Sequence, residues 1–234
     1  MWLLLPLACT SAEKPAPTCD EAALSTCQGP AQGEAYYADQ GNRYFDTLDA
    51  SADPESEPSY AEWVARWEWP PWLLLTGYGR DLTLAVDEVV LAAAPDTTVP
   101  VRDCRGFDVA PFGRCRVTMK IEGKDCPIYE EFTFNPQGEV TFVEAWSNLP
   151  GYFPSTDDDP WAEKEGVARL STRIPGLGNA TGSIDIDAPA MAAAAETDAD
   201  VAEFVRHAKD FWGTWNETYV AAGDDLYARG CGWQ

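Results

Sequence analysis

Seven cysteines in 234 residues constrain this chain more than any other feature: Cys9, Cys19, Cys27, Cys104, Cys115, Cys126 and Cys231. None shares a CxxC spacing, and His207 is the only histidine, so zinc sites and thioredoxin-type motifs are poorly supplied. Disulfides of an oxidising compartment are the better reading, and they need an even number of thiols. Setting aside Cys9, close to the N-terminus, leaves six. Six cysteines allow fifteen connectivities, and a hairpin turning at Asp108–Gly113 would place Cys104 directly opposite Cys115. Cys19 and Cys27 flank one short segment and are expected to pair. Cys126 then pairs with Cys231 and ties the C-terminus to the sheet.

The first residues, Met1-Trp-Leu-Leu-Leu-Pro-Leu-Ala-Cys9-Thr-Ser, form a short apolar run ending in a small residue and a cysteine. A polar, proline-bearing stretch, Ser11–Thr18, follows. The pattern resembles the end of a bacterial lipoprotein signal, whose cysteine becomes the acylated first residue of the mature protein. No Lys or Arg precedes the run, the run is short for a signal core, and Pro6 stands where such signals usually carry Leu; a plain secretory signal or a buried N-terminal strand is the alternative. The resemblance implies export signal and lipidation at residues 1–9, and a place in the bacterial cell envelope. Residues 10–33 then form a tether with a small disulfide segment, ahead of a single domain over 34–234. No other stretch has the unbroken apolar length of a membrane span, so the membrane is expected as a partner through the lipid alone.

With 39 acidic and 16 basic residues, the net charge is −23. Such a chain repels phosphates and anionic lipid surfaces, so nucleic acid is not an expected partner. Hydrophobic residues make up 45% of the chain, ten of them Trp, enough for a globular core.

Glu34–Ala50 has Tyr37, Tyr44, Phe45 and Leu48 at helical intervals, with Gly41 as a weakness. Ser59-x-x-Glu62 has capping-box spacing and predicts a helix carrying Trp63 and Trp67 on one face, stopped by Pro70-Pro71. Asp81–Ala94 fits helix or strand. Beyond Pro100 the pattern turns to strands. Arg116–Ile121 alternates, Glu122–Asp125 supplies a turn, and Ile128–Phe134 with Glu139–Trp146 forms the clearest hairpin. Residues 149–187 are rich in Pro, Gly and Asp and predict a long surface excursion with short strands. Thr197-x-x-Asp200 caps a final apolar-striped helix over 198–222, which leaves His207 near its exposed side.

A hairpin turn between Pro136 and Gln137 pairs Tyr129 with Glu144 and Glu131 with Phe142. Tyr129, Glu131, Glu144 and Trp146 then share one face, and Glu130, Phe132, Phe134, Thr141 and Val143 the other. A concave face bearing Glu131 and Glu144, with Tyr129, is a candidate acid–base site. Solvated or Arg-paired glutamates are the plainer alternative, and the pattern leaves open which face is inside.

Helices followed by antiparallel strands, with the hairpin Tyr129-Glu-Glu-Phe-Thr-Phe-Asn-Pro-Gln-Gly-Glu-Val-Thr-Phe-Val-Glu-Ala-Trp146, resemble the nuclear transport factor 2-like superfamily, including its polyketide-cyclase-like members. Over residues 35–148 the resemblance implies a curved sheet wrapped on helices, a cone with a pocket. Enzymes of that kind commonly use an Asp with a His or Tyr. The strand region here has no His, so a His-dependent version is not carried over.

No nucleophile elbow or phosphate loop occurs. Asp157–Asp159 and the Asp185/Asp187 pair lack EF-hand spacing and read as solvated loops, with calcium left open. Trp69 and Trp72 flank the predicted helix end and, with Trp146, are candidates for stacking on a ligand. The expected fold is therefore α+β: a curved antiparallel sheet on N-terminal helices, closed by a C-terminal helix and pinned by disulfides. No cofactor is expected. The expected function is binding of a small molecule or protein partner by an envelope lipoprotein. A cyclase- or isomerase-type pocket enzyme and a glycan-binding module are the alternatives.

Overall fold

The computed structural model describes residues 30–53, 56–69, 77–149, 151–177, 184–222 and 226–233. Cys9, the Cys19–Cys27 pair, the tether and Trp72 lie outside them. The elements are α1 (Glu34–Asp46), β1 (Tyr60–Glu68), β2 (Gly77–Tyr78), α2 (Arg80–Ala93), β3 (Thr98–Gly106), β4 (Gly113–Ile121), β5 (Lys124–Phe134) and β6 (Val140–Ser147). Then follow α3 (Pro189–Thr197), α4 (Ala199–Lys209), α5 (Phe211–Ala222) and α6 (Leu226–Gly230). The fold is α+β. Its six-stranded sheet has the order β2-β1-β6-β5-β4-β3, antiparallel except where β1 runs parallel to β6.

Both pairings expected among the described cysteines form, one from hairpin geometry and one by elimination. Cys104 and Cys115 face each other across β3 and β4, and Cys126 on β5 joins Cys231 just past α6. The glycine that weakens α1 has a steric cause. A Cβ at Gly41 would lie 2.5 Å from Cys115 Sγ, so only glycine lets the helix rest on the disulfide. Gly106 answers the same need, because a Cβ there would lie 2.1 Å from the Glu34 carbonyl oxygen.

The helix expected from Ser59 is strand β1. Trp63 and Trp67 do not share a helical face: Trp63 is 44% exposed and Trp67 is buried. Between two neighbouring strands, the β-branched and aromatic side chains of Tyr60-Ala-Glu-Trp-Val-Ala-Arg-Trp-Glu68 find better packing than a helix gives, and tertiary context overrides a four-residue cap signal. The segment expected as helix or strand is helix α2, Arg80–Ala93, which buries Thr83, Val86, Asp87 and Val90 along one face.

The hairpin pairs two residues away from the expected register, Tyr129 with Trp146 and Glu131 with Glu144. The turn is centred later than Pro136–Gln137 because the Asn135 side chain accepts from the amides of Gln137 and Glu139, with Gly138 at φ 85°. A two-residue shift preserves faces, so the expected face grouping stands up to the bulge between Thr133 and Phe134.

Helices α1 and α2 cover one face of the sheet, where Tyr37, Tyr44, Phe45, Val86, Ile121 and Phe132 form the main core. The opposite face is not open. Residues 151–177, expected as a surface excursion with strands, contain no strand beyond a single bridge between Thr156 and Asp159, and they bury Trp161, Leu170, Ile174 and Leu177 against it. The predicted last helix is two helices. Asp198 rather than Thr197 caps α4, and Asp210 restarts the chain as α5 by accepting from the Gly213 amide. His207 is buried, 1% exposed, with its ring edge-on to Trp67, because α4 lies on the sheet with that side inward.

Candidate functional site

The structure brings together the hairpin residues singled out from sequence, on the face that residues 151–177 cover. Arg169 holds Glu131 through two parallel hydrogen bonds, Nε to Oε2 at 2.5 Å and Nη2 to Oε1 at 2.7 Å. The Tyr129 hydroxyl lies 2.9 Å from Glu131 Oε1 and 2.8 Å from the Trp161 carbonyl. Glu144 accepts from Trp69 Nε1 and from the amides of Leu170 and Ser171. Burial nevertheless pushes its carboxyl up to about 7. Trp69 is half-buried and stacks on Trp146, which is buried. These side chains fasten the C-terminal extension to the sheet, and each carboxylate oxygen here has a protein donor.

The helix-covered face carries a different set. Strand alternation sets Val64, Arg66 and Glu68 of β1 on this face. Through the register Glu68↔Ala145↔Glu130, it also places the two glutamates in one row across three strands, with Cα atoms about 10 Å apart. Arg66, Glu68, Asp87 and Glu130 are all at least 96% buried. Arg66 Nη1 donates to Asp87 Oδ1 at 2.6 Å, and Thr47 donates to Asp87 Oδ2 at 2.8 Å. Burial pushes the Asp87 carboxyl up, and these two donors oppose it. Burial likewise pushes Glu68 up to about 8, against the pull of Arg66. Glu130 is pushed well above the usual carboxylate range, first by burial and then by Glu68.

Polar atoms without a protein partner among the described residues concentrate on this face. Six lie here, Arg66 Nε and Nη2, the hydroxyls of Tyr44 and Tyr60, Glu130 Oε2 and Ser147 Oγ, and two, Trp67 Nε1 and His207 Nδ1, lie on the opposite face. Tyr44 stands beside Glu130, and Tyr60 beside Arg66, short of hydrogen-bond geometry. Arg66 also sits over the Tyr44 ring, 5.0 Å from its centroid. The adjoining cavity, about 30 Å³ open to the centre of a water molecule, is lined by Glu68, Glu130, Leu48, Ile121, Ala145 and Tyr227. Tyr227 belongs to α6, which the Cys126–Cys231 disulfide ties to β5.

Sequence reasoning did not single out Arg66, Glu68 or Asp87, and put Glu130 on the face opposite the candidates. The available signal was Val64-Ala-Arg-Trp-Glu68. Read with a period of two it places Arg66 and Glu68 beside Val64, whereas the helix reading of this segment hides the pattern. Among the described residues no group of three or more His, Cys, Asp or Glu is placed to hold a metal ion. Asp159 instead accepts from the amides of Glu163 and Lys164, and Asp187 pairs with Lys209.

No protein-family model and no curated protein matches the chain. Among solved structures it is similar to a protein assigned as an isomerase of the SnoaL-like family from Agrobacterium tumefaciens, at 16% identity over 49% of this chain and 99% of that one, TM-score 0.39. A protein assigned as a ketosteroid isomerase from Kribbella flavida matches at 19% identity over 58% and 96%, TM-score 0.40. An uncharacterized bacterial protein with a cystatin-like fold from Silicibacter pomeroyi matches at 16% identity over 71% and 85%, TM-score 0.30.

Proposed function

We propose that the helix-covered face holds a small-molecule site that works by proton transfer, in a protein exported and held at a bacterial envelope through an acylated Cys9. The observation that supports this reading is the meeting of two buried carboxyls, Glu68 and Glu130, at one cavity, with several unpartnered buried polar atoms beside them on the same face. Each such atom costs about 1–3 kcal/mol. Folds keep groups of this kind where they act on a ligand. The two disulfides fit export, since oxidising compartments preserve them. No helix among the described residues is long and apolar enough to cross a membrane.

Glu68 and Glu130 titrate as a pair. Once one ionises, its charge holds the proton on the other, which leaves an acceptor and a donor at one cavity. That state can take a proton from carbon and give one to oxygen, as an isomerase or cyclase needs. Because Glu68 titrates near 8, the turnover rate should rise as pH rises towards 8. The cavity holds one or two waters as it stands, so a larger substrate enters only as the cavity walls move apart.

The test is native mass spectrometry for a co-purified small molecule, followed by incubation of that molecule with protein in heavy water. The wild type should incorporate deuterium into it. Glu68→Gln and Glu130→Gln should retain the molecule and label it at least roughly 100-fold more slowly. A molecule that is held but never labelled by the wild type would leave a binding protein in place of an enzyme.

A further inference from the structure

We infer that the ligand of this site carries a carboxylate, received by the free edge of Arg66. This rests on the site proposed above and names its substrate class. Arginine offers a carboxylate two parallel donors along one edge, Nε–H and Nη2–H, in a fork that matches the two oxygens. Arg66 spends Nη1 on Asp87 and leaves Nε and Nη2 without a protein partner, although its side chain is 0% exposed. Arg169, a partly buried arginine of the opposite face, shows the complete arrangement in the same molecule, its Nε and Nη2 both bonded to Glu131. The Arg66 edge is the same receptor without its carboxylate.

The surroundings match an anion with a small apolar body. The hydroxyls of Tyr44 and Tyr60 are further donors beside the guanidinium, both unpartnered and at least 94% buried. Asp87 balances the Arg66 charge, so an arriving carboxylate meets a locally neutral pair. It meets no net repulsion while Glu68 and Glu130 keep their protons, and protonated carboxyls are donors themselves. Glu130 belongs both to this polar end and to the cavity wall, which is otherwise lined by Leu48, Ile121 and Ala145. The molecule as a whole, at −23, repels anions at long range. Discrimination therefore lies in the buried fork, and binding should be slow and weakly salt-dependent, unlike capture by a basic surface.

The experiment is an NMR titration of the intact, oxidised protein with ¹³C-labelled acetate, acetamide and acetone, which have the same number of heavy atoms and nearly the same shape. At about pH 6.5 acetate should bind at least roughly tenfold more tightly than either neutral molecule, and Arg66→Lys, which keeps the charge and loses the fork, should abolish that advantage. At about pH 9.5, where Glu68 ionises, acetate should bind roughly tenfold more weakly. Glu68→Gln should retain binding and lose this pH dependence. Acetamide or acetone binding as well as acetate overturns the carboxylate assignment and leaves the cone site standing. Failure of all three to bind overturns both. Acetate affinity unchanged in Arg66→Lys places the anion elsewhere and overturns the inference. Should Arg66→Lys not fold, the Glu68→Gln titration decides, and a pH dependence that persists in it overturns the inference as well.

Discussion

Glu68 shows what the site costs the fold. Its carboxyl is pushed from the ordinary value of 4.5 to about 8 when buried. A carboxyl raised on folding favours the native state fully below its unfolded pKa, and that stability is lost as pH rises through the interval up to the folded value. The window here runs from about pH 4.5 to about 8. Glu68→Gln keeps the shape without the ionisation. It should therefore raise stability by up to about 3 kcal/mol at pH 7 and by close to nothing at pH 4, read from urea denaturation at the two values. A gain equal at both would show that Glu68 does not titrate on unfolding. Residues of this kind were the least legible in the sequence. Glu131 and Glu144 stood out because a recognisable hairpin carries them, and burial makes them braces for the extension. Glu68 and Arg66 were hidden because nothing local marks a charged residue as buried; burial of Arg66 depends on Asp87, 21 residues later.

Elements were legible where one local rule dominated. The α1 stripe, the β5–β6 hairpin and the cross-strand Cys104–Cys115 pair each follow from a period or a turn that adjoining residues complete. The β1 segment failed because two local rules conflict there. Its capping spacing speaks for a helix, its β-branched and aromatic content for a strand, and only the parallel neighbour β6, some 80 residues on, decides. The extension failed for a related reason. Residues 151–177 have no period to read, since they gain order from what they cover: Leu170 and Trp161 fill the sheet face, and the amides of Leu170 and Ser171 rest on Glu144. Such a segment looks like loop in sequence and is core in the fold.

Across the whole molecule, one sheet serves two purposes. The face under the extension is closed by paired charges and bonded carboxylates, whereas the face under α1 and α2 keeps most of the polar groups without partners, beside a cavity. Anchoring is a separate matter from this division. If Cys9 is acylated, Cys9→Ser should move the protein from membrane to soluble fractions with its ligand affinity unchanged; an unaltered distribution would remove the lipid from the account. The central claim is that the ligand sits between the helices and the sheet. Ala145 lines that cavity between Glu68 and Glu130, and Ala145→Val puts two further methyl groups into space that holds only one or two waters. The decisive measurement is ligand retention by native mass spectrometry in the wild type and in Ala145→Val, with folding checked by circular dichroism. The account predicts a bound molecule on the wild type and none on a folded Ala145→Val protein. The same molecule retained equally by both would contradict it and move the site away from the space between the helices and the sheet.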